Sequence, residues 1–163
     1  NAGGAEMYGL ESEFATRVAG GLSLEGNLSY LHSEYTEFVD AGVDVSDRPL
    51  VNAPEWSGRL GATYDIGLGD AGDLRLRAGA SYRSKTYLTV SASDVLAQDD
   101  LTLYDASLIY TPRGEHWTIV LSGENLSDEA YRDHGFDLSA FPGVQLGYYG
   151  APRTYSLSVR YRY

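Results

Sequence analysis

The sequence predicts an all-β chain: about seven strands of a transmembrane, antiparallel, up-and-down β-barrel larger than the chain itself. Three observations predict it. The last eleven residues, RTYSLSVRYRY, alternate without a break, with Tyr155, Leu157, Val159, Tyr161 and Tyr163 against Thr154, Ser156, Ser158, Arg160 and Arg162, so an extended strand there has one apolar face and one polar face. Connections between the strand segments run short, long, short, long, short, long. Aromatics gather at strand ends (Tyr30, Trp56, Tyr64, Tyr82, Tyr104, Tyr110, Trp117, Tyr161, Tyr163), with small or aliphatic residues between them. Tyrosine suits a boundary between hydrocarbon and water, and loop lengths sorted by rim are a barrel property that a soluble β-sandwich has no reason to show.

In chain order, the first strand is expected from about Met7 to Arg17, with Tyr8, Leu10 and Phe14 opposite Glu11, Glu13 and Arg17. A tight turn at Val18-Ala19-Gly20-Gly21 leads into the second strand, where Leu22, Leu24, Gly26, Leu28 and Tyr30 oppose Ser23, Glu25, Asn27 and Ser29, a hairpin pattern. From about Tyr35 to Glu55 the alternation dissolves into an acidic loop. It resumes with Trp56, Gly58, Leu60, Ala62, Tyr64 and Ile66, turns at GLGDAGD, and returns through Leu74, Leu76, Ala78, Ala80 and Tyr82. A second long loop covers about Ser84 to Asp100. Tyr104, Ala106, Leu108 and Tyr110 mark the fifth strand, with Leu103 and Ile109 out of pattern. After the turn at Thr111–Gly114, Trp117, Ile119, Leu121 and Gly123 mark the sixth, and a third long segment, about Ser127 to Pro152, precedes the last.

At 163 residues the chain suffices for one domain, and a mean hydropathy of −0.28 fits a soluble protein or a barrel equally well. Nineteen glycines and fourteen tyrosines lean towards β-structure. With no cysteine there is neither a disulfide framework nor a thiolate metal site. A net charge of −11 argues against nucleic acid as a partner. No apolar run is long enough for a transmembrane helix. Seven strands leave two bare edges, untenable in lipid, and bacterial barrels close with an even count; counting back from Tyr163 puts Asn1 in an outer loop. The chain therefore reads as an incomplete C-terminal part of one barrel domain, 1–163.

Four segments then carry a family resemblance: Gly9-Leu10-Glu11-Ser12-Glu13, Val51-Asn52-Ala53-Pro54-Glu55-Trp56, Glu124-Asn125-Leu126-Ser127-Asp128-Glu129-Ala130-Tyr131, and Gly150-Ala151-Pro152-Arg153-Thr154. In this order and spacing the chain resembles the C-terminal barrel portion of TonB-dependent outer-membrane receptors. The resemblance implies a plugged barrel of about 22 strands, of which this is roughly the last third. It also implies uptake of a scarce nutrient, often a ferric siderophore, driven by the inner-membrane energy-coupling (TonB) complex of a Gram-negative cell. The plug, the N-terminal strands and the coupling segment match nothing here. The aromatic end resembles the signal read by the barrel insertase, which falls on Tyr163 with Tyr161 and Val159 behind it. Long loops would be extracellular and the C-terminus periplasmic. The alternative function is a passive channel or a surface-binding barrel.

Candidate contacts follow from chemistry. The basic ladder Arg75, Arg77, Arg83 and Lys85 is the foremost candidate to hold an anion, either a plug carboxylate or a ferric chelate. The other charges on that face (Glu11, Glu13, Arg17, Glu25, Arg59, Glu124, Arg160, Arg162) suit cross-strand ion pairs in a wet interior. Loop aromatics Tyr87, Tyr131, Phe136, Phe141, Tyr148 and Tyr149 are placed either to form a ligand-capturing mouth or to pack the loops on themselves, with His134 beside Asp133. His32 and His116 lack a ligand-spaced partner, and the loop acids lack a calcium-loop spacing; no metal site or cofactor is expected. Asp133-His134 has no serine motif to accompany it, so no enzyme is expected. The Asn-Leu-Ser triplets at 27 and 125 match the glycosylation pattern by chance.

Overall fold

The computed structural model describes residues 2–40, 42–140 and 143–163; the outer-loop placement of Asn1 and the aromatic Phe141 lie outside them. Strands β1 (Ala2–Arg17), β2 (Leu22–Asp40), β3 (Val43–Asp44), β4 (Trp56–Gly67), β5 (Asp73–Arg83), β6 (Thr86–Tyr87), β7 (Ala97–Gln98), β8 (Leu101–Thr111), β9 (Trp117–Glu124), β10 (Arg132–Leu138), β11 (Val144–Tyr149) and β12 (Thr154–Tyr161) follow in order. Seven of them form an antiparallel meander, β1-β2-β4-β5-β8-β9-β12, with β3 a two-residue spur on β2. The sheet is not closed: β1 and β12 are its lateral edges.

Register explains why alternation was so clean. Apolar positions line up across strands, as in Leu22–Tyr64–Leu76–Leu108–Leu121–Leu157 and Ile66–Leu74–Tyr110–Ile119–Val159. Polar positions line up on the other face, as in Ser23–Thr63–Arg77–Ser107–Ser122–Ser156. Because the side-chain period is two, shifting one strand by one residue would invert its faces, so hairpin turns must hold register. In the second of these turns Gly72 has φ +106°, and a Cβ there would collide with the backbone of Thr111 and Pro112. That turn accepts only glycine.

The apolar face has no protein against it. Leu10 is 72% exposed, Leu157 69% and Tyr155 68%, and Leu28, Leu60, Tyr64, Tyr104, Trp117, Leu121, Val159 and Tyr161 are exposed with them. A patch of this size exceeds what water tolerates on a monomer. Trp56 and Tyr64 on β4 are eight residues apart, roughly 26 Å of strand before tilt, matching an apolar band of about 25 Å between aromatic girdles. The surface is built for lipid.

The observed strands run longer than the sequence predicts at one place. β1 and β2 pair from Arg17↔Ser23 out to Ala2↔Phe38, whereas β2 pairs with β4 only as far as Tyr30↔Trp56. Residues 31–40 therefore continue as a two-stranded ribbon above the sheet, with Tyr8 stacked on His32 at 4.7 Å. The acidic loop thus begins near Asp40 rather than Tyr35. The other two long connections, expected as loops, contain hairpins of their own, β6–β7 and β10–β11.

Short turns (18–21, 68–72, 112–116) share one rim with the chain end, since Arg162 N–H donates to the His116 carbonyl at 2.7 Å. At the opposite rim the long connections pack together. Among the described residues, the buried apolar side chains are Phe38, Val45, Leu88, Leu96, Ala97 and Leu101. All sit at or above the long-loop rim. The hydrophobic core lies in the loops.

Candidate functional site

The longest connection, 125–153, is locked at its neck. Asn125, buried and left-handed at φ 48°, donates from its amide to the carbonyls of Glu129 (2.9 Å) and Ala151 (3.1 Å) and accepts from Glu129 N–H (2.9 Å). Asparagine tolerates that backbone region better than other side chains. Asp128 accepts from Arg153 N–H at 3.0 Å and pairs with its guanidinium at 3.6 Å. Both ends of the loop are thereby fixed to each other. The Asn125 amide is fully used within the fold.

From this neck the chain crosses the polar face of the sheet. Tyr131 lines a cleft of about 460 Å³ with Arg59, Leu103, Asp105 and Glu124, and Arg83, a polar-face residue of β5, donates to the Arg132 carbonyl at 3.4 Å. The β10–β11 hairpin then lies with one face against connection 84–100. Gly135 sits on Leu88, Thr89 and Leu96. Arg132 N–H donates to the Gln98 side chain (2.6 Å), Arg132 Nη1 to the Ala97 carbonyl (3.1 Å), and Gln145 to Ser93 (2.9 Å).

The other face of the hairpin carries an aromatic cluster. His134 meets Phe136 edge-on at 5.0 Å, and Tyr148 stands 6.2 Å from both rings. Phe136 is 52% exposed and Tyr148 53%, with Leu138, Val144 and Leu146 exposed beside them. Of the predicted loop contacts, the structure brings together His134, Phe136 and Tyr148. It places the others elsewhere: Tyr149 beneath Arg132, 5.8 Å from guanidinium to ring, Tyr131 down in the cleft, and Tyr87 under the Lys85 ammonium at 4.9 Å.

The basic ladder is divided by its neighbours. Asp65 grips Arg75 through two hydrogen bonds, 2.5 and 3.1 Å, and Asp94 takes Lys85 at 2.9 Å. That partner holds the Asp94 carboxyl below the usual carboxylate range and pushes the Lys85 ammonium above its own. Arg83 is directed at connection 125–153. Arg77 stays on the polar face between Thr63 and Ser107. A different pair spans the sheet: Arg59 on β4 reaches Asp105 on β8 at 2.6 Å, passing over β5 at Gly79. A Cβ at Gly79 would stand 2.8 Å from that carboxylate and against the guanidinium, so the glycine permits the bridge. The assembly-signal residues Val159 and Tyr161 lie on the apolar face opposite Ile119 and Trp117, and Tyr163 stacks edge-on against Tyr161 at 5.2 Å.

Sequence reasoning missed the neck lock, the Arg59–Asp105 bridge and Asp137. Hydrogen bonds from the Ser91 hydroxyl, then Ser139 and Gln145, hold the Asp137 carboxyl well below the ordinary carboxylate range. The neck residues do fall within two segments that stood out in the sequence, 124–131 and 150–154, but nothing in their spacing disclosed a mutual contact.

The sequence model of the family described as TonB dependent receptor-like, beta-barrel, matches residues 1–126. No curated protein matches the sequence. Among solved structures, the ferric yersiniabactin uptake receptor FyuA from Yersinia pestis is similar with a TM-score of 0.78 and 23% identity, over 96% of this chain and 23% of its own. The siderophore receptor PiuA from Acinetobacter baumannii gives 0.74 and 21%, over 98% and 22%. The ferric preacinetobactin receptor BauA, also from Acinetobacter baumannii, gives 0.72 and 28%, over 96% and 22%. The chain thus spans less than a quarter of the length of each of these receptors.

Proposed function

The chain belongs to the TonB-dependent receptor-like β-barrel family, and from that premise we propose that it forms the C-terminal part of an outer-membrane receptor for energy-coupled uptake of a ferric siderophore. The observation that carries this reading is the β10–β11 hairpin, which leaves its neck across the polar face of the wall and presents His134, Phe136 and Tyr148 on the side away from its packing partner. Aromatic side chains held on a rigid hairpin supply contact area at low entropic cost. The relatives named above, described as siderophore uptake receptors, support the same class of ligand.

In this proposal the polar face lines a lumen closed by a plug from outside this chain, and further strands pair with the free edges of β1 and β12. The long connections face outward and Tyr163 lies on the periplasmic side, where Val159, Tyr161 and Tyr163 serve barrel insertion. Coupling to the inner membrane runs through segments outside residues 1–163. The chain's own part is to build lipid-facing wall, set the loop platform and offer ligand contacts.

The test is uptake of radiolabelled iron from ferric siderophores by a strain lacking the full-length gene. Restoration by the intact gene, and its loss when the coupling complex is removed, is the expected result. Uptake that persists without the coupling complex would instead make the protein a passive channel.

A further inference from the structure

The charge of this chain is concentrated where a ligand would arrive. Segments 31–55, 84–100 and 125–153 hold thirteen carboxylates against four basic side chains, and so nine of the chain's eleven net negative charges. All four bases are engaged: Arg48 with Asp40 (3.4 Å), Lys85 with Asp94 (2.9 Å), Arg132 with the Ala97 carbonyl (3.1 Å) and the Tyr149 ring, and Arg153 with Asp128 (3.6 Å). Asp99 and Asp133 are exposed, and among the described residues their side chains take neither an ion pair nor a hydrogen bond. Asp133 lies on the other side of β10 from His134, lining a cleft with Arg83, Leu101 and Tyr131.

From this we infer that the ligand captured at this rim carries aryl surface and no net negative charge. The inference rests on the siderophore-receptor reading and narrows it. Carboxylates in excess around a loop platform set up a negative potential that repels a polyanion at approach. They leave a neutral aromatic ligand unopposed and attract a positively charged one. With its own loop cations already engaged, this chain offers none to neutralise a tricatecholate complex.

The experiment uses the full-length receptor in detergent, with quenching of its own tyrosine and tryptophan fluorescence as the readout. Three ferric probes separate charge from aryl content: the neutral three-to-one chelate of a 2-(2-hydroxyphenyl)oxazoline, the trianionic tris(catecholate), and the neutral tris(acetohydroxamate). The oxazoline chelate should bind tightest, and the trianion at least about tenfold more weakly, a gap of roughly 1.4 kcal/mol. That gap should close between about 0.01 M and about 1 M salt, as the Debye length falls from about 30 Å to about 3 Å. Phe136→Ala with Tyr148→Ala should bring the oxazoline chelate down to the hydroxamate. Asp99→Lys with Asp133→Lys should raise affinity for the trianion without moving the hydroxamate. A trianion that binds as tightly as the neutral aryl chelate at low salt overturns the inference and leaves the siderophore reading standing. Failure of every ferric probe to bind, with no iron uptake in cells, overturns both.

Discussion

Two leucines show how differently the two ends of this molecule are built. Leu157 in the wall is 69% exposed, and Leu96 in the loop platform is 2% exposed. In water the first would be a liability and the second an ordinary core residue. The wall is a single layer whose apolar rows meet lipid, so its stability comes from the hydrogen-bond ladder and from matching the bilayer. The platform meets water, so it buries Phe38, Val45, Leu88, Leu96, Ala97 and Leu101 as a small soluble protein does. One chain obeys two solvents, and the change occurs at the aromatic row Tyr30–Trp56–Tyr82–Tyr104.

The contrast can be broken from either side. Leu96→Ala should cost about 2–5 kcal/mol, the range for emptying a buried leucine site. The loss should be local: faster hydrogen exchange and proteolysis over 86–98 and 132–149, with barrel unfolding on heat-modifiable gels unchanged. Coincident loss of both would mean that platform and wall are one cooperative unit. Leu157→Arg should cost about 2–4 kcal/mol near the bilayer midplane, measured by denaturant unfolding in lipid. Ser156→Arg, one residue away on the polar face, should cost far less, and equal costs would remove the distinction between faces.

Smaller effects sharpen the picture of the platform. Asn125→Ala leaves the Glu129 and Ala151 carbonyls and the Glu129 N–H without their partner, which costs about 1–3 kcal/mol of loop closure. It should appear as raised exchange at Glu129 and Gly150. Asn125→Asp, which keeps the acceptor and loses both donors, should fall between. The smallest effect is that of pH. The Asp137 carboxyl is held below its ordinary value by Ser91, so the contribution of this contact is complete above the unfolded carboxylate pKa of about 3.9 and is lost as pH falls through the lower folded value. Exchange at the hairpin should stay flat from about pH 8 to about pH 5 and rise only in stronger acid; a rise near neutrality would contradict the role given to Asp137.

The wall was legible because each face meets one medium, which writes a period of two directly into the residues. The ribbon above Tyr30 was not, because residues 31–40 pair with β1 and, only at Val39 and Asp40, with β3, and Phe38 is the one buried side chain among them, so neither face meets a single medium throughout. Leu103 and Ile109 broke the fifth strand's pattern because they lie on the polar face, opposite Ser81 and Arg75, with Val120 beside Ile109. The β10–β11 hairpin did carry alternation, His134, Phe136 and Leu138 against Asp133, Gly135 and Asp137. Its inward positions are small or acidic because they rest on another loop, so they lack the apolar signature of a strand against a core. The pairing of Lys85 with Asp94, and that of Arg59 with Asp105 over Gly79, depend on chain paths that periodicity does not encode.

The central claim is that apolar rows touch hydrocarbon while polar rows touch water. This chain has no cysteine; single cysteines placed in turn from Thr154 to Tyr161 of the full-length protein, in a background freed of any cysteine elsewhere and spin-labelled in bilayers, can report each position's medium. Relaxation by lipid-soluble oxygen should peak at Tyr155, Leu157, Val159 and Tyr161, and relaxation by a water-soluble nickel chelate at the positions between. A profile without that alternation, or one with the odd positions shielded from both reagents, would contradict it.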